Sequence, residues 1–91
     1  MKNLQGWGRF VANCQQLNNP HELNQFFELT LTPAEREKIA ARYMILAELI
    51  HKDKTQREIA TDLGVSIFNV TRGANQLKRI AAASQQLILG D

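Results

Sequence analysis

Apolar residues recur along this chain at intervals of three and four and show no sustained alternation. That spacing predicts helices and no sheet. Leu4, Trp7, Val11 and Cys14 mark a first helix over about residues 3–17, weakened by Gly6 and Gly8. The run Asn18-Asn19-Pro20 breaks it. A short second helix from about Pro20 to Leu29 gathers Leu23, Phe26 and Phe27 on one side, with proline tolerated at its start. "LTPAERE", residues 31–37, is a start signal in which Thr32 caps, Pro33 fills the first helical position and Glu35 reaches back in a capping box. Ile39, Tyr43, Leu46 and Ile50 follow as the expected inward stripe of a helix of about 19 residues that ends near His51.

The same capping device recurs at Thr55 with Glu58. Ile59 and Leu63 then give a short fourth helix, which Gly64 stops. Ser66 caps a fifth, in which Val70, Ala74 and Leu77 share a face. Ile80 to Leu89 forms a last, weak helix. The expectation is a single all-α domain over residues 1–91, built from five to six short helices.

Length changes this picture in one respect. Ninety-one residues support only a modest core, and Trp7, Phe10, Phe26 and Phe27 lack partners enough in a compact single chain, which predicts a homodimer. The hydrophobic fraction of 44% is that of a folded protein, and no apolar run approaches the roughly 20 residues needed to span a bilayer. The opening MKNLQGWGRF lacks the apolar core of a signal peptide, so a soluble cytoplasmic protein is expected, with no membrane partner. A single cysteine, Cys14, excludes an internal disulfide, and it is expected as a small core thiol. His21 and His51 have no neighbours at metal-ligand spacing and are expected at the surface. No nucleophile–base pair, paired carboxylates or phosphate loop stands at a usable spacing, so neither an enzyme nor a bound cofactor is expected.

The net charge of +2 is small, but its placement is not even. Lys52, Lys54, Arg57, Arg72, Lys78 and Arg79 outnumber Asp53, Glu58 and Asp62 between residues 52 and 79. A polyanionic partner suits that segment; a solvated basic face is the plainer alternative. The local pattern favours the first. Ala60 is small where two helices must approach, Gly64 permits a left-handed turn, Val65 fills the angle and Ser66 caps the next helix. Those are the mechanical needs of a DNA-reading helix-turn-helix over about residues 55–78. With Val70, Ala74 and Leu77 inward, the fifth helix turns Phe68, Asn69, Thr71, Arg72 and Asn75 outward, toward a major groove. Thr71 suits a base edge or a thymine methyl, Asn75 an adenine, and Arg57 a guanine or a phosphate. Lys52, Lys54, Lys78 and Arg79 are expected to contact phosphates, and Gln56, Ser66 and Ile67 complete the DNA-facing set.

"LTPAERE", a helix with arginine at its tenth residue, "TQREIATDLGVS" and "VTRGANQLK" together resemble the tryptophan repressors of bacteria. The likeness reaches back to "GWGRFV" and so covers nearly the whole chain. It implies an intertwined dimer that binds a palindromic double-stranded operator when L-tryptophan, the corepressor, sits between the core and each reading head. Arg42 and Arg72 would then sandwich the indole, Arg72 holding the carboxylate as well. Backbone oxygens near Leu29 and Leu31 of the second chain, with Thr32, would meet the polar end, and Ile45 and Gly73 would shape the pocket. Guanidinium planes suit both tasks, since they stack on aromatic rings and pair with carboxylates. A structural role is the alternative for Arg42, although Lys38 and Leu46, four residues to either side, offer it no ion pair.

This chain also departs from the family pattern. Gln76 stands where the family has a serine near the ligand's ammonium, Ala60 where it has a DNA-contacting lysine, and Phe68 and Asn69 where it has alanine and threonine. Three readings follow. The chain is a tryptophan-responsive repressor, a relative that binds DNA without tryptophan, or a helical protein–protein interaction module. Salt dependence of DNA binding separates the last from the others, and tryptophan dependence separates the first two.

Overall fold

A computed structural model describes residues 3–90 of the chain, with the side chain of Asn3 left aside. Six helices follow in order: α1 (Asn3–Gln16), α2 (Pro20–Thr30), α3 (Pro33–His51), α4 (Gln56–Leu63), α5 (Ile67–Leu77) and α6 (Ala82–Leu89). No strand occurs among the described residues, so the fold is all-α as the periodicity predicts. The chain divides into two compact units, Met1–Arg36 and Glu37–Asp91, with the boundary just after the first turn of α3.

Short side chains cap the starts of α2, α3, α4 and α5. Asn19, in extended backbone, accepts from the backbone N–H of His21 at 2.8 Å and of Glu22 at 3.4 Å, and Pro20 follows at the first helical position. Such a cap satisfies donors that the first turn leaves without partners. At the far end of α2 the carbonyl of Leu29 would need an N–H from residue 33, which is proline and has none. The start of α3 is the expected capping box, in which Thr32 N–H donates to Glu35 Oε1 at 2.8 Å and Glu35 N–H donates to Thr32 Oγ1 at 3.1 Å. Thr55 and Glu58 repeat it at 2.9 and 3.1 Å. Gly64 ends α4 in the left-handed region, at φ 66°, and Val65 N–H closes back on the Ala60 carbonyl at 3.0 Å. Ser66 Oγ accepts from Asn69 N–H at 3.2 Å to open α5. The last helix begins two residues later than Ile80, without a side-chain cap. Gln85 ties it back, its Nε2 lying 3.4 Å from the Leu77 carbonyl and 3.5 Å from that of Ile80.

The two units cover their apolar residues differently. In the second, Ile45, Ile59 and Val70 are buried, with Leu49, Ala60, Leu63 and Val65 packed around them. Ile45 corrects the expected stripe of α3: Ile39 and Tyr43 remain about half exposed, and the buried position is one the stripe omitted. Apolar side chains lie on every side of this helix, so no single face stands out in its sequence. In the first unit four rings associate. Phe10 lies 5.4 Å from Trp7, 5.3 Å from Phe26 and 6.0 Å from Phe27 between centroids, distances typical of attractive aromatic pairs. The stripe on α1 is nevertheless open to solvent, with Trp7 63% exposed and Leu4 more so. Cys14 is half-buried rather than a core thiol, while His21 and His51 are exposed.

Candidate functional site

The turn joining α4 and α5 consists of Gly64, Val65 and Ser66, and each does what the sequence suggests. Gly64 supplies the positive φ, Val65 packs against the core, and Ser66 caps. Ala60 lies against the same core. These contacts fix which way α5 turns. Val70 is fully buried, Ala74 and Leu77 are partly buried, and the opposite face is left to solvent.

That outer face carries the residues picked out by the helical period. Phe68, Thr71, Arg72, Asn75, Gln76 and Arg79 line one shallow depression along α5. Asn69, Lys78 and Ile67 are exposed beside them, and Gln56 and Arg57 are exposed on the first turn of α4. From Leu63 to Gly90 the chain has three cations, Arg72, Lys78 and Arg79, and no acidic residue. The face is therefore polar and positive, which suits a polyanion.

One cross-helix contact escaped the sequence. Thr71 Oγ1 donates to Gln56 Oε1 at 3.0 Å, joining the exposed sides of α4 and α5. Fifteen positions separate the two, and no local rule pairs them. With its proton given to Gln56, the Thr71 hydroxyl keeps its lone pairs and its methyl for an outside group. Lys54 is held in a comparable way. Its Nζ lies 2.9 Å from Asp62 and 3.6 Å from Glu48, bridging α4 to the C-terminal part of α3. The Asp62 hydrogen bond, helped by the charges of Asp62 and Glu48, raises the pKa of Lys54 above its ordinary value. Its charge is already engaged within the chain, and a phosphate contact would compete with these carboxylates.

The residues that the resemblance assigns to a ligand fall in both units. In the second, Gly73 abuts α3 so closely that a Cβ there would lie 3.0 Å from Ile45 Cγ2 and 3.3 Å from Leu49 Cδ1. Gly73 and Ile45 thus form one contact between α5 and α3. Arg42 precedes Ile45 by one turn, Arg72 adjoins Gly73, and Gln76 lies one turn beyond it. All three are exposed, and neither arginine has an ion pair or side-chain hydrogen bond among the described residues. In the first unit, Leu29 is 86% exposed at the end of α2, Leu31 is its C-cap, and Thr32 is committed to capping α3. Among the described residues no cluster of histidine, cysteine or carboxylate side chains could hold a metal, and no helix is long and apolar enough to cross a membrane.

Residues 5–89 match the profile of the Trp repressor protein family. The chain belongs to the Trp repressor family. A Trp operon repressor homolog of Chlamydia caviae is 46% identical over 78 residues, covering 86% of this chain and 77% of the relative. Another, from Chlamydia trachomatis serovar D, is 42% identical over 80 residues, covering 86% and 85%. A third, from Actinobacillus succinogenes, is 35% identical over 77 residues, covering 85% and 76%. As a member of the Trp repressor family this chain is a repressor-like regulator, a class distinct from enzymes. The matched span covers most of each unit and every candidate site residue.

Proposed function

We propose that the chain is a homodimeric, sequence-specific DNA-binding repressor whose operator binding is switched on by L-tryptophan. The observation that carries this reading is the outer face of α5, capped, held by Val70, and positive without an acidic residue. A helix presenting threonine, asparagine and arginine in this way is built to enter a major groove, with α4 lying behind it in a helix-turn-helix. Thr71 and Asn75 read base edges, and Arg57 grips a guanine or a phosphate. Lys52, Lys78 and Arg79 hold the backbone. Two such heads one DNA turn apart, roughly 34 Å, require a palindromic site.

Tryptophan control is supported by the guanidinium groups of Arg42 and Arg72, beside the Gly73–Ile45 contact and without an ion pair among the described residues. An indole stacked between Arg42 and Arg72 would fix α5 against α3, and the carboxylate would pair with Arg72. The Leu29 carbonyl, deprived of an intrahelical donor by Pro33, is suited to receive an ammonium from the second chain's ligand. Ligand binding then favours one placement of the reading head over others. A second reading, DNA binding without tryptophan, is favoured by Lys54, which ties α3 to α4 through Glu48 and Asp62.

Selection from random duplexes in the presence of L-tryptophan tests the proposal. A palindromic consensus is the expected product, and Arg57→Ala or Thr71→Ala should weaken binding to it by about 1–3 kcal/mol with little change on random DNA. Equal losses on both would leave only phosphate contact. Absence of any DNA binding at low salt would return the chain to the protein–protein interaction class.

A further inference from the structure

Phe68 is the second residue of α5 and 78% exposed, a large ring set in a face whose other members hydrogen-bond or carry positive charge. The core does not explain it, since Ile59 and Val70 close that side. The cap does not need it either, because Ser66 Oγ meets the N–H of Asn69 and leaves the Phe68 side chain outside. No ring pairs with it among the described residues; the aromatic cluster of this chain is Trp7, Phe10, Phe26 and Phe27. Facing a polyanion, an apolar side chain so placed gains from an apolar feature within that partner's polar surface.

Double-stranded DNA offers one in its major groove. Among the base edges displayed there, the thymine C5-methyl is the apolar group, and the remainder are donors and acceptors. Phe68 stands at the N-terminal end of α5, the part of a reading helix that reaches deepest among base edges. Thr71 is three residues on and Asn75 seven, so all three lie along one line of the helix. We infer that Phe68 is a specificity-determining residue that packs on the methyl group of a thymine in each half of the operator. The inference rests on the DNA-binding function proposed above.

Base analogues provide the test, because deoxyuridine keeps every hydrogen-bonding group of thymidine and lacks the methyl alone. Duplexes selected with the parent protein and with Phe68→Ala are compared, with L-tryptophan present and absent in parallel. A thymine enriched in each half-site by the parent should lose its enrichment with Phe68→Ala. Replacing that thymine by deoxyuridine should weaken the parent by about fourfold per half-site, the worth of one buried methyl group, and leave Phe68→Ala unchanged. Phe68→Leu should retain part of the discrimination. Phe68 is exposed, so the variant's helix content should equal the parent's, and circular dichroism checks that it folds. A consensus that is indifferent to deoxyuridine at every thymine, or that Phe68→Ala reads as the parent does, overturns the role of Phe68 while leaving the repressor reading intact. Failure of the parent to enrich any sequence overturns both.

Discussion

The N-terminal unit and the paired helices α4 and α5 face the same difficulty, that of covering apolar surface with few residues, and they meet it to different extents. Around α4 and α5 each local choice agrees with the next: two side-chain caps, a left-handed glycine, and two residues, Ile59 and Val70, shut off completely from solvent. In the N-terminal unit Trp7, Phe10, Phe26 and Phe27 stack on one another, yet none of the described residues of that unit is buried. Together with Ile45 of α3, helices α4 and α5 build a core of their own. The aromatic unit has apolar surface left over, and in the proposed dimer a second chain covers it. The unit with the sharper functional signal is thus the one whose local structure is self-sufficient.

The largest expected effect follows from breaking the aromatic unit. Phe10 touches three rings and is half-buried, and in the proposed dimer a second chain completes its cover, so Phe10→Ala should destabilise that dimer by about 3–5 kcal/mol per chain. Sedimentation should show dissociation at concentrations where the parent remains paired. A parent that is itself a folded monomer at low micromolar concentration would remove the contrast between the units.

The next effect belongs to the second unit. Gly73→Ala places a methyl 3.0 Å from Ile45 Cγ2, and Ile45, packed against Ile59 and Val70, has little room to yield. Overpacking costs about 1–3 kcal/mol, and the better helix propensity of alanine returns about 1. A net loss of about 1 kcal/mol is expected in chemical denaturation, with the native emission of Trp7, the single tryptophan, unchanged. An unchanged midpoint would mean that α3 and α5 adjust freely.

How much of this was legible in the sequence depends on distance along the chain. Thr32 with Glu35, Thr55 with Glu58, and Gly64 with Ser66 act over one helical turn, so their partners can be read directly, and all three devices occur as expected. Asn19 carries no separate signal as a cap, because the proline after it marks the boundary by itself. The outward face of α5 was legible because Val70, Ala74 and Leu77 mark the inward one. The buried residue of α3 was not, since Ile45 competes with apolar neighbours all round the helix. The Thr71–Gln56 bond and the two partners of Lys54 depend on the crossing of helices, which no spacing rule encodes.

A smaller effect concerns the cap of α4. The backbone N–H of Thr55, and after it the Thr55 hydroxyl, hold the Glu58 carboxyl below its ordinary pKa of 4.5. A carboxyl depressed in the folded state contributes stability above the unfolded value, lost as pH falls through the lower folded one. Stability should therefore decline below about pH 4.5, and Glu58→Gln should flatten that limb. Thr55→Ala should cost about 1 kcal/mol at neutral pH. An acid limb identical in Glu58→Gln and the parent would deny the box any energetic part.

The smallest effect separates two lysines of the second unit. Lys78 is exposed and free to meet a phosphate, so Lys78→Ala should reduce the salt slope of DNA binding by about 0.9. Lys54, engaged by Asp62 and Glu48, should change it by much less. Equal changes would show that Lys54 leaves its carboxylates when DNA binds.

The most direct test of the account is the affinity of the intact protein for its selected duplex, measured by fluorescence anisotropy at fixed salt with and without saturating L-tryptophan. The account predicts that tryptophan tightens binding at least about tenfold, within the usual range of coupling between two sites, and that Arg42→Ala abolishes the gain without altering helix content. Equal affinity with and without tryptophan would contradict it and establish a Trp repressor relative that binds DNA unaided.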